Sequence, residues 1–259
     1  MLSLLLRLQT AILKRFLRYA EKPLSIISQN QALELAVVLR SQENGFHKSS
    51  GALHFLRRHL NCSLVNAGDG MNEHPTQALL DLFSIRQRFL KNGRADRPYK
   101  LAIVGDIRHS RVARSNVLAH LKLGHEVTLV GPTTLCPQEF AAAGCFGAQV
   151  KVTDSLREGL RAADVVMCLR LQLERQDQNF IPTLEEYTAE YFVSERLISE
   201  LCPDAIVMHP GPVNRGVEVE TKLIDGPRSL MLGQVASGVA VRMAGLFSMT
   251  TGFSEKVEG

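Results

Sequence analysis

A run of four polar or helix-starting residues, His74-Pro75-Thr76-Gln77, could do chemistry at the head of a helix. Proline is favoured at the first helical position because its missing N–H would have no partner there, so the run predicts a helix that begins at Pro75. His74 and Gln77 would then lie at the positive end of the helix dipole, which attracts a phosphate or a polarised carbonyl. The alternative is a capping turn in which the His74 side chain only makes a structural hydrogen bond.

Polar clusters also follow three predicted strands. Arg111 comes shortly after the apolar segment 101–105, Arg170 directly follows the segment 165–169, and a His-Pro-Gly-Pro turn follows the segment 205–208. Ligands in open α/β sheets bind at the carboxyl ends of the strands. The arginine fork pairs with both oxygens of a carboxylate. These clusters are consistent with a site for a dianionic ligand and equally with solvated surface charge.

The elements that must position these residues alternate regularly from about residue 100. Short β-branched segments predict strands, and longer segments with helix start and stop signals predict helices. This alternation predicts a mostly parallel sheet with helices on both faces. A Rossmann dinucleotide site would need GxGxxG after the first strand, but VGDIRHSRVARS offers only Gly105, so no nicotinamide or flavin cofactor is expected. The segments are, in order, KLAIVGD, SRVARSNVLAHLKLG, HEVTLVGP, residues 137–143, AQVKVT, SLREGLRAA, DVVMCLRL, LEEYTAEYF, SERLISELC and DAIVMHPGP.

Composition narrows the class of protein. A chain of 259 residues, 45% hydrophobic and 22% charged, is an ordinary globular protein with one large or two modest domains. The net charge of +4 comes from scattered basic residues, so no nucleic-acid partner is predicted, although an anionic substrate is compatible. The five cysteines have no CxxC spacing, which predicts neither a disulfide framework nor a zinc site and favours a reducing, cytoplasmic compartment.

The first 20 residues, MLSLLLRLQTAILKRFLRYA, differ from the rest because they carry four basic residues and no acidic one. Basic residues interrupt the apolar ones, so the segment is not expected to span a membrane. Three interpretations are open: an ordinary amphipathic helix, a transit peptide, or a start that does not belong to the original gene.

Five stretches occur in an order and spacing that resemble a known family over roughly residues 50–246. They are NAGDGMNEHPTQALLDL, VGDIRHSRVARSN, MCLRLQLERQ, VMHPGPVNRGVEV and QVASGVAVRMAGL. The sequence resembles the aspartate carbamoyltransferase catalytic chain. That resemblance implies a two-domain α/β carbamoyltransferase fold, each domain a parallel sheet flanked by helices, with an incomplete N-terminal domain. The implied domains are a carbamoyl-phosphate-binding domain at 1–98, an aspartate-binding domain at 99–232, and a C-terminal helix at 233–259 that returns to the first domain.

The resemblance implies a transferase of pyrimidine (UMP) biosynthesis, which moves the carbamoyl group of carbamoyl phosphate to L-aspartate and releases phosphate. Amine attack builds negative charge on the carbamoyl oxygen, which preorganised donors stabilise. By resemblance, His74 and Gln77 take this role, and Gln77 also holds the carbamoyl nitrogen. Backbone groups of Gly211 and Pro212, with a cis bond between them, are expected to complete the pocket.

The resemblance assigns the remaining ligand contacts as well. Arg111 and Arg170 would bind the two carboxylates of L-aspartate, and Gln172 would support them. Arg40 would be a catalytic ligand of carbamoyl phosphate. No cofactor or metal is implied, because phosphate is a competent leaving group. The implied assembly is a homotrimer, with regulatory or dihydroorotase-type subunits as further partners.

Ornithine carbamoyltransferase is the close relative to be distinguished. Its amino-acid substrate carries a cationic side chain, so its pocket should offer an acidic or neutral group. This sequence instead offers Arg170 in LRLQ, and Gly211 in HPGP where that relative has HCLP. Both features favour aspartate.

The N-terminal third departs from the family pattern. Neither the STRTR phosphate loop nor the S…KGE loop is present, and Ser41 follows Arg40 where a histidine is usual. We interpret residues 1–35 as a truncated, rearranged or mis-translated replacement, which favours the third interpretation of the N-terminus. The aspartate side of the site should therefore be better formed than the phosphate side. The alternative function is a non-catalytic remnant that binds an amino acid or serves in assembly.

Other polar residues are expected to be structural. Arg108 and Arg114 are predicted to face solvent or an interface, and Asp69 and Asp81 to cap or brace their helices. The histidines expected at the surface are His109, His120 and His125.

Overall fold

The computed structural model describes most of the chain from residue 64 onward and two short segments before it. Arg40 and Gln172, both predicted to bind substrate, lie outside the described residues, as does the N-terminal segment 1–36. The described ranges are 37–39, 57–59, 64–94, 97–171 and 183–250.

The strands and helices follow the predicted alternation closely. In chain order they are β1 (Val37–Leu39), β2 (Leu64–Asn66), α1 (Pro75–Lys91), β3 (Lys100–Val104), α2 (Arg111–Lys122), β4 (Glu126–Val130), a 3₁₀ turn (Gln138–Ala141), β5 (Val150–Thr153), α3 (Leu156–Leu160), β6 (Val165–Cys168), α4 (Leu184–Tyr191), α5 (Glu195–Leu201), β7 (Ile206–Met208), α6 (Thr221–Asp225) and α7 (Met231–Thr250).

Five strands form one parallel sheet in the order β5-β4-β3-β6-β7, and β1 pairs with β2 in a separate parallel pair. The predicted parallel α/β fold is confirmed. From β3 the chain adds β4 and then β5 toward one edge of the sheet, and from β6 it adds β7 toward the other edge. The strand order therefore reverses between the neighbours β3 and β6. Their carboxyl ends therefore frame the crevice in which open α/β sheets bind ligands.

Each face of the five-stranded sheet has its own apolar core. Side chains alternate along a strand, so Leu101 and Ile103 of β3 pack under α1 and α2, whereas Ala102 and Val104 pack under α3, α4 and α5. All four are at most 2% exposed. This arrangement confirms helices on both faces, and it fixes α1 and α2 side by side on one of them.

The last helix, α7, packs along α1. Val241 joins Leu80 and Phe83 in a small apolar cluster, and the Ser84 and Ser237 hydroxyls are hydrogen-bonded at 2.9 Å. A C-terminal helix that returns to the 1–98 domain would make this contact; the domain boundaries themselves stay a prediction. Within the described ranges, the structure contains no helix long and apolar enough to cross a bilayer.

The expectation that His109 and His120 lie at the surface is wrong, because they are 6% and 0% exposed. The segment that leads into β3 covers the end of α2, so that the Tyr99 hydroxyl lies 3.2 Å from His120 Nδ1. His125 is half-buried and stacks on Tyr99 with ring centroids 3.8 Å apart. Burial, and then the neighbouring His125, hold the pKa of His120 well below its usual value.

Candidate active site

His74 immediately precedes α1, and Pro75 is the first helical residue, as predicted. The imidazole does not cap the helix. Instead the His74 backbone N–H donates to Ser115 Oγ of α2 at 2.8 Å, and Nδ1 lies 3.3 Å from Thr76 Oγ1. The His74 side chain therefore does not cap the helix, but its contact with Thr76 Oγ1 is a structural hydrogen bond, so its role in ligand binding stays a prediction. The ring is held at the positive end of α1, with α2 fixing its backbone.

Gln77 lies in the first turn of α1 and is held by a buried carboxylate. Its Nε2 donates to Asp81 Oδ1 at 2.9 Å. Asp81 also accepts from Gln234 Nε2 at 2.7 Å and from Asn116 Nδ2 at 2.9 Å. Burial raises the pKa of Asp81 to about 6, and the amide hydrogen bonds lower it in part. The prediction that Asp81 braces its helix is confirmed, and its contacts extend to α2 and α7.

The loop after β7 carries the His-Pro-Gly-Pro turn, and the Gly211–Pro212 bond is cis, as the resemblance implied. The Gly211 N–H donates to His209 Nδ1 at 2.9 Å, so a neutral ring carries its proton on Nε2. That Nε2 lies 3.2 Å from Glu218 Oε1, to which it donates. The backbone N–H of His209 donates to Gln234 Oε1 at 3.1 Å. His209 thus fixes the turn through both ring nitrogens and its backbone.

These contacts join two of the predicted carbamoyl-binding segments. A continuous chain of hydrogen bonds runs from the His209 backbone through Gln234 and Asp81 to Gln77. The turn after β7 is therefore held in place relative to the N-terminus of α1.

Arg111 is the first residue of α2, which begins where the Ser110 hydroxyl accepts the Ala113 N–H at 3.1 Å. The Arg111 guanidinium lies against the loop before α1, with Nη1 3.5 Å from Gly70 O. A Cβ at Gly68, where φ is +128°, would stand 2.8 Å from Arg111 Cζ. The positive φ favours glycine here, and a larger residue would displace the Arg111 guanidinium. The cation therefore borders the loop that leads into His74.

Arg170 follows β6 and is half-buried. Its neighbours Leu169 and Leu171 are 1% and 2% exposed, which fixes the backbone on either side of it. The Leu169 N–H donates to Val104 O at 2.8 Å, and a Cβ at Gly105 would stand 2.8 Å from Leu169 O. The ends of β3 and β6 thus meet closely, and Arg170 lies at the crevice where the strand order reverses.

Three further residues were predicted to be structural or to face solvent, and the structure agrees with only part of these predictions. Arg108 is exposed as expected, whereas Arg114 is half-buried. Asp69 lies in the loop before α1, where its Oδ2 accepts from Asn72 Nδ2 at 3.2 Å, so it braces that loop rather than a helix. No group of three His, Cys, Asp or Glu side chains within the described ranges is arranged to hold a metal ion.

Several residues that organise the site were missed in the sequence. Asn116 and Gln234 are buried polar residues, and Gln234 interrupts an apolar helical segment, which is a signal for a buried polar contact. Glu218 and Asp106 are 1% and 0% exposed, and Asp106 Oδ1 lies 2.9 Å from His109 Nδ1. No local sequence pattern separated Glu218 and Asp106 from acidic residues at the surface, so their burial was not predicted.

Two family models match the chain in tandem. The carbamoyl-P binding domain of the aspartate/ornithine carbamoyltransferases matches residues 25–87, and the Asp/Orn binding domain matches residues 98–249. The chain belongs to the aspartate/ornithine carbamoyltransferase family. The aspartate carbamoyltransferase catalytic subunit of Beijerinckia indica is 50% identical over 204 residues, which is 79% of this chain and 62% of that protein.

Solved carbamoyltransferases share the fold. Aspartate transcarbamoylase from Trypanosoma cruzi, crystallised with carbamoyl aspartate and phosphate, is 28% identical with a TM-score of 0.65, over 83% of this chain and 65% of that one. Ornithine carbamoyltransferase from Pyrococcus furiosus matches in fold, with 24% identity and a TM-score of 0.69, over 85% of this chain and 67% of that one. The chain spans less than two thirds of the length of the curated carbamoyltransferases it matches.

Proposed function

We propose that the chain transfers the carbamoyl group of carbamoyl phosphate to the α-amine of L-aspartate, giving N-carbamoyl-L-aspartate and phosphate for pyrimidine synthesis. The observation that carries this proposal is the position of Arg111. Its guanidinium lies on the loop that leads into His74, and Ser115, one turn along the same helix, accepts the His74 N–H. A cation suited to a carboxylate is therefore next to polar groups suited to a carbamoyl group.

The proposed chemistry needs positioning and electrostatics rather than a covalent nucleophile. The amine attacks the carbamoyl carbon, negative charge builds on the carbamoyl oxygen, and phosphate leaves. His74, at the positive end of α1, stabilises that charge, and Gln77 holds the carbamoyl nitrogen. Backbone groups of Gly211 and Pro212 close the pocket beside them.

The amino-acid half of the proposed site is cationic. Arg111 and Arg170 bind the two aspartate carboxylates through bidentate hydrogen bonds. Gln172 supports them and Arg40 binds carbamoyl phosphate; both assignments rest on the resemblance, because these residues lie outside the described ranges. A cation at position 170 repels the cationic side chain of ornithine, so aspartate is the preferred substrate.

Three further features stay predictions. They are the division at residues 98 and 232, the homotrimer with regulatory or dihydroorotase-type subunits, and the cytoplasmic location. The match of one family model up to residue 87 and of the other from residue 98 supports the first of these boundaries.

The test is a product assay. Purified protein is incubated with carbamoyl phosphate and either L-aspartate or L-ornithine, and the carbamoylated product is quantified. A chimera with the N-terminal third of the Beijerinckia indica relative is assayed beside it, because this sequence lacks the STRTR loop that the resemblance leads one to expect. Carbamoyl-aspartate from the chimera is expected. Product from ornithine alone, or no product from either protein, would contradict the proposal.

A further inference from the structure

Asp81 is a buried carboxylate in an unusual setting. It is 0% exposed at the place where α1, α2 and α7 meet. Among the described residues, its hydrogen-bond partners are three side-chain amides, from Gln77, Gln234 and Asn116. No cation is among them. A buried carboxylate without a cation is costly, so a purely structural role would be served better by an apolar residue of similar size.

A carboxylate differs from every neutral side chain of its size because it only accepts hydrogen bonds. Each amide that contacts Asp81 must therefore turn its NH₂ group toward it, and its carbonyl oxygen away. For Gln234 the result is visible: Nε2 faces Asp81 and Oε1 accepts the His209 N–H. For Gln77 the same constraint leaves Oε1 as an acceptor that takes no hydrogen bond from the described residues.

We propose that Asp81 is a positioning residue that fixes the Gln77 amide with its carbonyl oxygen toward the ligand, so that the site selects a carbamoyl group over an acetyl group. The inference rests on the proposed function, in which Gln77 holds the carbamoyl nitrogen. A carbamoyl group offers N–H donors to Gln77 Oε1, whereas the methyl of an acetyl group has the same shape and no donor. A site built around an acceptor rejects a ligand that lacks the donor, because the acceptor loses its partner.

Two ligands isolate this effect. N-carbamoyl-L-aspartate and N-acetyl-L-aspartate differ only by NH₂ against CH₃, and neither requires a covalently attached phosphate. Their affinities for the purified full chain are measured by calorimetric titration in phosphate buffer. We expect wild type to bind the carbamoyl compound at least about tenfold more tightly, which is a modest part of the discrimination that such polar recognition reaches.

The decisive variant is Asp81→Ala, which removes the acceptor and lets the Gln77 amide turn. The carbamoyl-to-acetyl affinity ratio is expected to fall to within about threefold of unity, because either end of the amide can then face the ligand. The matched control is Ser84→Ala, which removes another buried α1–α7 hydrogen bond, at 2.9 Å, but does not touch Gln77. The control is expected to keep the wild-type ratio.

A double variant shows whether Asp81 acts through Gln77. Gln77→Met alone should lower the ratio, and adding Asp81→Ala to it should lower the ratio no further. If Asp81→Ala does not fold, Asp81→Asn keeps the shape but brings an NH₂ group against three others, and it is expected to change the ratio in the same direction. A merely structural role would weaken the binding of both ligands equally and leave the ratio unchanged.

The outcomes separate the two proposals. A folded Asp81→Ala or Asp81→Asn protein with the wild-type ratio would overturn the positioning role while the proposed function stands. Equal binding of both ligands by wild type would also overturn it. Wild type that binds neither ligand would contradict the proposed function itself, and the inference with it.

Discussion

The α1 side of the candidate site, His74 and Gln77, contacts hydroxyls and the buried Asp81 carboxylate, whereas the sheet side, Arg111 and Arg170, offers permanent cations. On the α1 side the contacts are a serine hydroxyl and carboxamides, with one buried carboxylate, Asp81, that faces only amides. On the sheet side the arginines stand near the ends of β3 and β6, where the strand order reverses.

This difference between the two sides matches the charge of the ligand group that each side would bind in the proposed reaction. In the proposed reaction the carboxylates of aspartate are charged throughout, so fixed cations would bind them in the ground state. The carbamoyl oxygen gains charge only as the reaction proceeds, and preorganised neutral donors stabilise such a charge without binding the ground state too tightly. Four experiments test this difference between the two sides of the site.

The largest effect is expected from the missing phosphate loop. The sequence contains no STRTR run, so in the proposed reaction only Arg40, assigned by resemblance, and the α1 dipole would neutralise the phosphate, and a helix terminus contributes at most about 2 kcal/mol. Two lost transition-state contacts of roughly 3 kcal/mol each correspond to about 10⁴ in rate. The chain alone should therefore form carbamoyl-aspartate about 10⁴-fold more slowly than the Beijerinckia indica chimera, measured as kcat/KM. Rates within tenfold of each other would show that another segment binds the phosphate.

The second-largest effect is expected on the sheet side, where removing Arg170 should weaken ligand binding. Arg170→Ala removes the proposed bidentate partner of a ligand carboxylate, which should cost roughly 3 kcal/mol, or more than a hundredfold in affinity for N-carbamoyl-L-aspartate. Calorimetric titration measures this directly. The matched control is Arg108→Ala, because Arg108 is exposed and donates to Thr134 O at 3.2 Å. Equal affinity of Arg170→Ala and wild type would remove Arg170 from the site.

The third effect is a pH dependence on the α1 side. Burial raises the pKa of Asp81 from 3.8 to about 6, so its contribution to stability is greatest below pH 3.8 and is lost as pH rises through 6. The charged form then costs at most about 3 kcal/mol at neutral pH. His120 acts in the opposite direction, because its lowered pKa makes stability fall as pH drops below 6.5.

The effect of Asp81 is therefore measured as the difference in unfolding free energy between wild type and Asp81→Asn. The free energy of unfolding of wild type minus that of Asp81→Asn, from urea denaturation, should become less favourable to wild type between pH 4 and pH 7. The His120 contribution is common to both proteins and cancels. Parallel pH profiles would show that Asp81 does not titrate in this window.

More of the fold than of the candidate site could be predicted from the sequence. Strand and helix signals are local, so the elements from Lys100 to Met208, the last helix and the start of α1 at Pro75 were predicted without any tertiary information, whereas the short α6 was not. The strand order was not predicted, since no local pattern encodes which strands pair. The Asp81–Gln234 contact joins residues 153 positions apart, and the burial of His120 depends on Tyr99 packing over it. Such contacts arise only when distant segments meet.

The smallest effect is expected where α1 and α7 meet away from the ligand. Ser84 Oγ donates to Leu80 O at 2.7 Å and lies 2.9 Å from Ser237 Oγ, so the Ser237 hydroxyl donates to Ser84. Ser84→Ala leaves Ser237, which is 9% exposed, without that partner, and should lower the free energy of unfolding by about 1 kcal/mol. The higher helix propensity of alanine offsets part of this loss.

The double variant Ser84→Ala/Ser237→Ala should recover stability relative to Ser84→Ala, because removing both partners leaves no hydroxyl of the pair unsatisfied. Urea denaturation of the three proteins at one pH measures the cycle, and calorimetry should find the affinity for N-carbamoyl-L-aspartate unchanged in all of them. Additive losses in the double variant would mean that the two hydroxyls are independent in solution. A loss of ligand affinity in Ser84→Ala would instead mean that the α1–α7 contact as a whole, rather than the Asp81 carboxylate within it, sets the geometry of the α1 side.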